Sequence, residues 1–211
     1  SNTGYAMLAL LVERVSGQSF ESYLREHIFS PAQMQHSFTY NHDVMDTLSN
    51  RVVGYNRVGR RLYRYDFEPN DMILGDKSVY SNLDDLFLYQ KALNSYQLVS
   101  KPTLDEAYSR GRTNSRYAHD FNYGSGWRLK EDKGLKLIYH NGLWHGFSSS
   151  LTREVNNDVT VILLNNTTAS ISSIKLDLIN ITIRELKKMD LKQTPQTEIA
   201  YIKTILQPLG G

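Results

Sequence analysis

Cysteine is absent from the 211 residues, which excludes disulfides and thiolate metal sites and leaves the redox compartment undecided. Long apolar runs are absent as well: no stretch reaches the ~18 apolar residues that a membrane-spanning helix requires. There is no charged-then-apolar leader, so the expectation is mature or internal sequence. Charge of one sign is not in excess. The 24 basic residues face 22 acidic ones, and no basic run tracks a phosphate backbone, which argues against a nucleic-acid partner. Arg57, Arg60, Arg61 and Arg64 form the densest basic patch, and a solvated loop and strand face accounts for them. Internal repeats and low-complexity tracts are missing too. What remains is a length that suits one domain with a substantial core, or a piece of a larger one.

The stretch 135–166 is the most ordered in pattern. It reads as three consecutive antiparallel strands, the first ending in His140-Asn141-Gly142 and the last two separated by a turn at Asn156-Asn157-Asp158. A polar triplet closing on glycine suits either a ligand-lining edge or a plain hairpin corner. Around these strands the periodicity predicts helices. One begins near Tyr5, with Ser1 or Asn2 able to cap it, and closes at Ser16-Gly17; another covers 20–29, capped by Ser19 and stopped by Pro31. Residues 38–69 read as an irregular excursion with a small hairpin, its short β-like runs being 51–53 and 62–65. A helix follows over 83–93, with Asn82 and Asp85 as a capping pair, and another over 103–110. Residues 112–120 read as a loop, and a strand region opens at Tyr123. The longest helix is expected over 170–189, with Ile171, Ile174, Leu178 and Ile181 at helical spacing beside Ile179, Ile183 and Leu186, a stripe wide enough to lie across a sheet. The tail carries a weak amphipathic segment at Ile199, Ile202 and Leu206.

Some clusters have ordinary explanations. His140 and His145 lack a carboxylate at ligand spacing, so no metal is expected. Asp84 and Asp85 suit a helix N-terminus through its dipole. Trp127 reads as core, whereas Trp144 is open to both core and cleft-lining roles. Ser172 and Lys175 form a Ser-x-x-Lys at helical spacing, at the start of the long helix where serines are ordinary caps.

Four stretches carry a resemblance. Ser1-Asn2-Thr3-Gly4-Tyr5 precedes Val15-Ser16-Gly17-Gln18-Ser19-Phe20 and Tyr23-Leu24; Ser78-Val79-Tyr80-Ser81-Asn82-Leu83-Asp84-Asp85-Leu86 comes next. Tyr123-Gly124-Ser125-Gly126-Trp127 follows, and last His140-Asn141-Gly142 through Gly146-Phe147. Together, in this order, they resemble the C-terminal half of the serine β-lactamase family in the broad sense: class C β-lactamases with their penicillin-binding, D-aminopeptidase and esterase relatives. The first stretch is similar to the Tyr-Ser-Asn motif and the helix after it, and the last to the third motif in its histidine form. Asn82 stands where threonine is more usual.

The resemblance implies a mixed α/β domain of the α+β type, an antiparallel sheet flanked by helices, forming part of a β-lactamase/transpeptidase-like fold. Residues 1–190 would be the C-terminal portion of the hydrolase domain and 191–211 a tail or the start of a linker. The chemistry implied is acyl-enzyme hydrolysis of an ester, a peptide or a β-lactam amide, with no cofactor. A serine hydroxyl is a poor nucleophile, so a lysine one helical turn away and a tyrosine must take up its proton. That Ser-x-x-Lys belongs upstream of Tyr-Ser-Asn, so the expectation is a part of a hydrolase without its nucleophile, inactive alone. By the same resemblance, Asn2 would hydrogen-bond the substrate's acyl side, and His140, standing in place of a lysine, would position the tyrosine or bind an acidic end of the substrate. Asn141 and Gly142 complete the substrate-binding strand edge, Trp144 is a candidate lining residue, and the backbone N–H of Leu143 supplies one oxyanion donor. Histidine in place of lysine weakens permanent cationic recognition, which favours esterase or peptidase relatives. The partners implied are a small-molecule or peptide substrate and self-association through an exposed sheet edge. The location implied is the bacterial periplasm or cell envelope. A non-catalytic binding or scaffold module that keeps the cleft is the rival reading.

Overall fold

The computed structural model of the chain describes residues 1–40, 47–48, 50–65, 72–111 and 122–188. Helix α1 spans Asn2–Ser16. Ser1 caps it, its Oγ accepting from the Gly4 N–H at 3.3 Å, and Gly17 closes it at φ 73°, a left-handed position that favours glycine. Helix α2, Phe20–Leu24, starts under the expected Ser19 cap and then widens into a π-helical turn over Arg25–Phe29, where the Ser30 N–H donates to the Arg25 carbonyl. A uniform helix over 20–29 is thus corrected to two kinds of turn.

Two small sheets follow. Strand β1, Phe38–Thr39, pairs with β4, Val79–Tyr80, and β2, Tyr55–Val58, pairs with β3, Arg61–Arg64. The small hairpin therefore exists, but its first strand begins after Gly54 instead of at 51–53. Gly59, at φ 62°, allows the tight reversal that sets this register. The arginine patch lies on it, with β3 exposed throughout, as a solvated face requires.

Helix α3, Leu83–Asn94, is capped as expected, Asn82 Oδ1 accepting from the Asp85 N–H at 2.8 Å. The Asp85 carboxylate does more than oppose the helix dipole. It is buried and accepts from the His36 N–H at 2.8 Å and the Ser37 hydroxyl at 2.7 Å, fastening the segment after the π-turn to α3. Phe29, Ala32, Met34 and Ala92 form the core between these helices. Helix α4 covers Lys101–Ala107, earlier than 103–110 because Ser100 caps it and Pro102 sits in its first turn.

The main sheet has four antiparallel strands in the order β5-β6-β7-β8: Arg128–Asp132, Leu135–Trp144, Phe147–Glu154 and Val159–Asn165. The strand region does not start at Tyr123. Residues 123–126 instead fold back on the end of α4, the Ser125 N–H donating to the Ala107 carbonyl. Helix α5, Ser172–Lys188, lies across the sheet, enclosing Leu137, Val159, Val161, Ile179 and Ile183. Helix α3 touches β8, so helices flank the sheet as the α+β expectation has it. The 112–120 loop and the Ile199, Ile202 and Leu206 segment lie outside the described residues.

Candidate functional site

Two short turns decide what β6 presents on each side. Lys133 and Gly134, at φ 49° and 81°, make a two-residue left-handed turn between β5 and β6, so Asp132 and Leu135 are its hydrogen-bonded pair. From there the odd residues of β6 direct their backbone N–H and C=O toward β5 and the even ones toward β7. The Lys136 carbonyl, accepting from the Val155 N–H just beyond β7, agrees with this parity. Pairing with β5 stops at Arg128 and Tyr139. The amides of Asn141 and Leu143 therefore sit on an edge that no described strand pairs with. Sequence reasoning gave the Leu143 N–H an oxyanion role, and the structure places that N–H on the open side.

Side chains alternate in the same way. Leu137, Tyr139 and Asn141 face α5, whereas His140, Gly142 and Trp144 face the opposite side. Asn141 thus parts from the two triplet neighbours grouped with it and lines a cavity beneath α5. Gly142 is crossed by β7, where a Cβ would fall 2.5 Å from Ser149 Oγ. The Leu143 side chain is 68% exposed.

His140 meets Tyr123, whose Oη lies 3.0 Å from His140 Nε2. Burial raises the Tyr123 phenol to about 12, helped by a hydrogen bond with Tyr5 of α1. His140 moves the other way. Partial burial, then the charge of Arg128, lower its pKa, and a hydrogen bond to the Asn141 backbone only partly opposes them. Near pH 7 the phenol keeps its proton, and the tautomer of the imidazole sets which of the two donates. The structure so assembles Tyr5, Tyr123 and His140 in line from α1 to β6. Asn2 stands exposed one turn ahead of Tyr5 on α1, and among the described residues no hydrogen bond joins it to His140. Gly75 lets α1 come close: a Cβ there would lie 2.5 Å from the Tyr5 carbonyl.

Trp144 is half-buried. Lys77 Nζ stands 4.7 Å above its ring, and Lys77 pairs with Asp76 at 2.8 Å, both largely enclosed. The buried His145 ring packs edge-on against Trp144 and Tyr65. Trp127, expected in the core, is half-buried with its ring edge-on to Tyr108. Sequence reasoning missed Tyr5, Lys77 and Arg128. Each is separated from β6 by tens of residues or by a strand turn, and the adjoining Gly75-Asp76-Lys77 run was the one visible signal. No group of three or more His, Asp or Glu side chains that could hold a metal occurs among the described residues. Ser172 and Lys175 line the cavity beneath α5, on the far face from His140, and among the described residues no hydrogen bond joins them.

The comparisons follow this layout. The family model described as Beta-lactamase matches residues 1–184. Penicillin-binding protein 4* of Bacillus subtilis is 30% identical over 187 residues, taking in 79% of this chain and 39% of that protein. The D-aminopeptidase of Brucella ovis is 26% identical over 185 residues, 85% of this chain and 33% of that one. Among solved structures, the octameric penicillin-binding protein homologue from Pyrococcus abyssi superposes with a TM-score of 0.74 at 22% identity, covering 87% of this chain and 42% of that chain. The D-amino acid amidase from Ochrobactrum anthropi SV3, complexed with L-phenylalanine amide, does so with a TM-score of 0.71 at 18% identity, covering 89% and 57%. The chain spans about a third to two fifths of the length of these curated relatives.

Proposed function

The chain belongs to the Beta-lactamase family, and on that premise we propose that it supplies the strand-edge half of a serine hydrolase site, acting by acyl-enzyme formation on an ester, a peptide or a β-lactam amide. The observation that carries this reading is the end of β6, where the His140 imidazole, its pKa lowered, stands on the sheet face away from α5 and the Leu143 N–H lies on an edge that no described strand pairs with. An oxyanion forming on an attacked carbonyl needs an N–H donor aimed at it and already freed from other bonds. The Leu143 amide fits that need. On the sheet face away from α5, His140 shares a hydrogen bond with Tyr123, which holds the ring in one orientation. A neutral ring there can orient or exchange a proton with a nearby hydroxyl without demanding a negatively charged substrate. Asn2, at the start of α1, would address the acyl side of the substrate. Gly142 lets β7 pass close, its missing side chain making way for Ser149, and Trp144 lines the adjacent wall.

In this reading the nucleophilic serine, its lysine and a tyrosine come from outside the 211 residues, and the 211-residue chain is inactive alone. Names among the relatives, penicillin-binding protein and D-aminopeptidase, support a peptide-like amide as the substrate and the bacterial cell envelope as the place of work. Intact mass after incubation with a fluorophosphonate probe tests the assignment on this chain and on the natural gene product. Labelling of the longer protein alone is expected. Labelling of this chain at Ser172 would overturn the assignment of the nucleophile, and labelling of neither would favour a binding module.

A further inference from the structure

We propose that the cavity beneath the first turn of α5 is a binding site for a small oxyanion, a free carboxylate or phosphate, held by Lys175, Lys130, Ser172 and Asn141. The cavity measures about 160 Å³, and Tyr139 and Leu137 form part of its wall. Its defining group is Lys175. The residue as a whole is 7% exposed, its stem covered and its ammonium open to the cavity, where it has no carboxylate or carbonyl partner among the described residues and rests 4.1 Å from the centre of the Tyr139 ring. Drawing a charge partly out of water without an ion pair costs free energy, and a cation–π contact returns only part of it. An anion in the cavity would supply the missing counter-charge.

The surrounding groups favour the same occupant. Lys130 is a second cation on the rim, its charge partly met by Asp132 at 2.7 Å. The two ammonium groups repel each other, and burial together with the charge of Lys130 lowers the pKa of Lys175, a repulsion that a bound anion would relieve. Ser172 opens α5, whose first turn holds no acidic residue, so the positive end of a 17-residue helix also bears on the cavity. The Asn141 amide completes the set with a neutral donor. A volume of this size admits phosphate or acetate. The site lies on the α5 face of the sheet, so it stands independently of the hydrolase assignment at His140.

Equilibrium dialysis of the 211-residue chain against radiolabelled inorganic phosphate and, separately, acetate, with chloride holding the ionic strength constant, reads the binding directly. One saturable equivalent per chain is expected for at least one of the two anions, and the responding anion identifies the chemistry. Lys175→Met should weaken it at least tenfold, whereas Lys136→Met, a lysine of β6 outside the cavity, should leave it unchanged. Should Lys175→Met fail to fold by circular dichroism, Lys130→Met on the exposed rim must show the weakening instead. Absence of saturable binding by either anion, or wild-type affinity in the folded cavity variants, overturns the proposal.

Discussion

His140 shows how one side chain takes its character from neighbours remote in sequence. Its ordinary pKa is about 6.5, and both burial and the cation of Arg128 act against the protonated form. The imidazole should therefore titrate below 6.5 when followed by NMR of its ring protons, and Arg128→Gln should move the midpoint upward by removing the repelling charge. A midpoint at or above 6.5 in the wild type, or one indifferent to Arg128→Gln, would refute this account. The consequence reaches the chemistry. Where a lysine would hold a fixed positive charge, this site offers a neutral hydrogen-bonding ring near pH 7, backed by a phenol raised to about 12. The histidine and its glycine could be read from local sequence. Tyr5 and Arg128 could not, because their effect arises from α1 and β5 reaching one end of β6, and no local pattern encodes that approach.

At the scale of elements, the β7–β8 hairpin is held by a single carboxylate. Glu154 is fully buried and accepts from the N–H groups of Lys136, Asn156 and Asn157 and from the Asn157 side-chain amide, at 2.8 to 3.2 Å. Burial by itself would raise its pKa, but these bonds outweigh that and hold it below the usual range. With a folded pKa below the unfolded value of about 4.3, the charged form contributes stability above the unfolded pKa, and this is lost as pH falls through the folded pKa. Glu154→Gln should cost about 1–3 kcal/mol at pH 7, since an amide N–H₂ would face N–H donors. Urea denaturation of both proteins at pH 7 and pH 3 should show the gap narrowing in acid; an equal gap at both would sink the explanation. Elements of this kind were legible where periodicity is local. The existence of α5 and of strands β6 to β8 follows from spacing, but their buried faces do not: Ile174 and Ile181 of the expected stripe are exposed while Ile179 and Ile183 are buried, and β7 buries Ser148, Ser150, Thr152 and Glu154. The π-turn after Leu24 and the late start of β5 depend on tertiary contacts with α3 and α4.

At the scale of the whole molecule, α1 is out of balance with its surroundings. Ala9 is its buried residue, whereas Met7, Leu8, Leu10, Leu11 and Val15 are 48–80% exposed. Covering a large aliphatic side chain fully is worth about 1.5–3 kcal/mol, so five on one helix make a strong drive toward contact. The outer edge of β8 adds backbone groups that no described strand pairs with. Alone, the 211 residues should cover that face with copies of themselves. Light scattering is expected to give a mass above 24.3 kDa that rises with concentration. Replacing Met7 and Leu11 by lysine puts two charges one turn apart on the exposed face, and that variant should shift the population toward monomer while α1 keeps its caps. A monodisperse wild-type monomer, or a double variant that associates as strongly as the parent, would show that this face is stable in water without a partner.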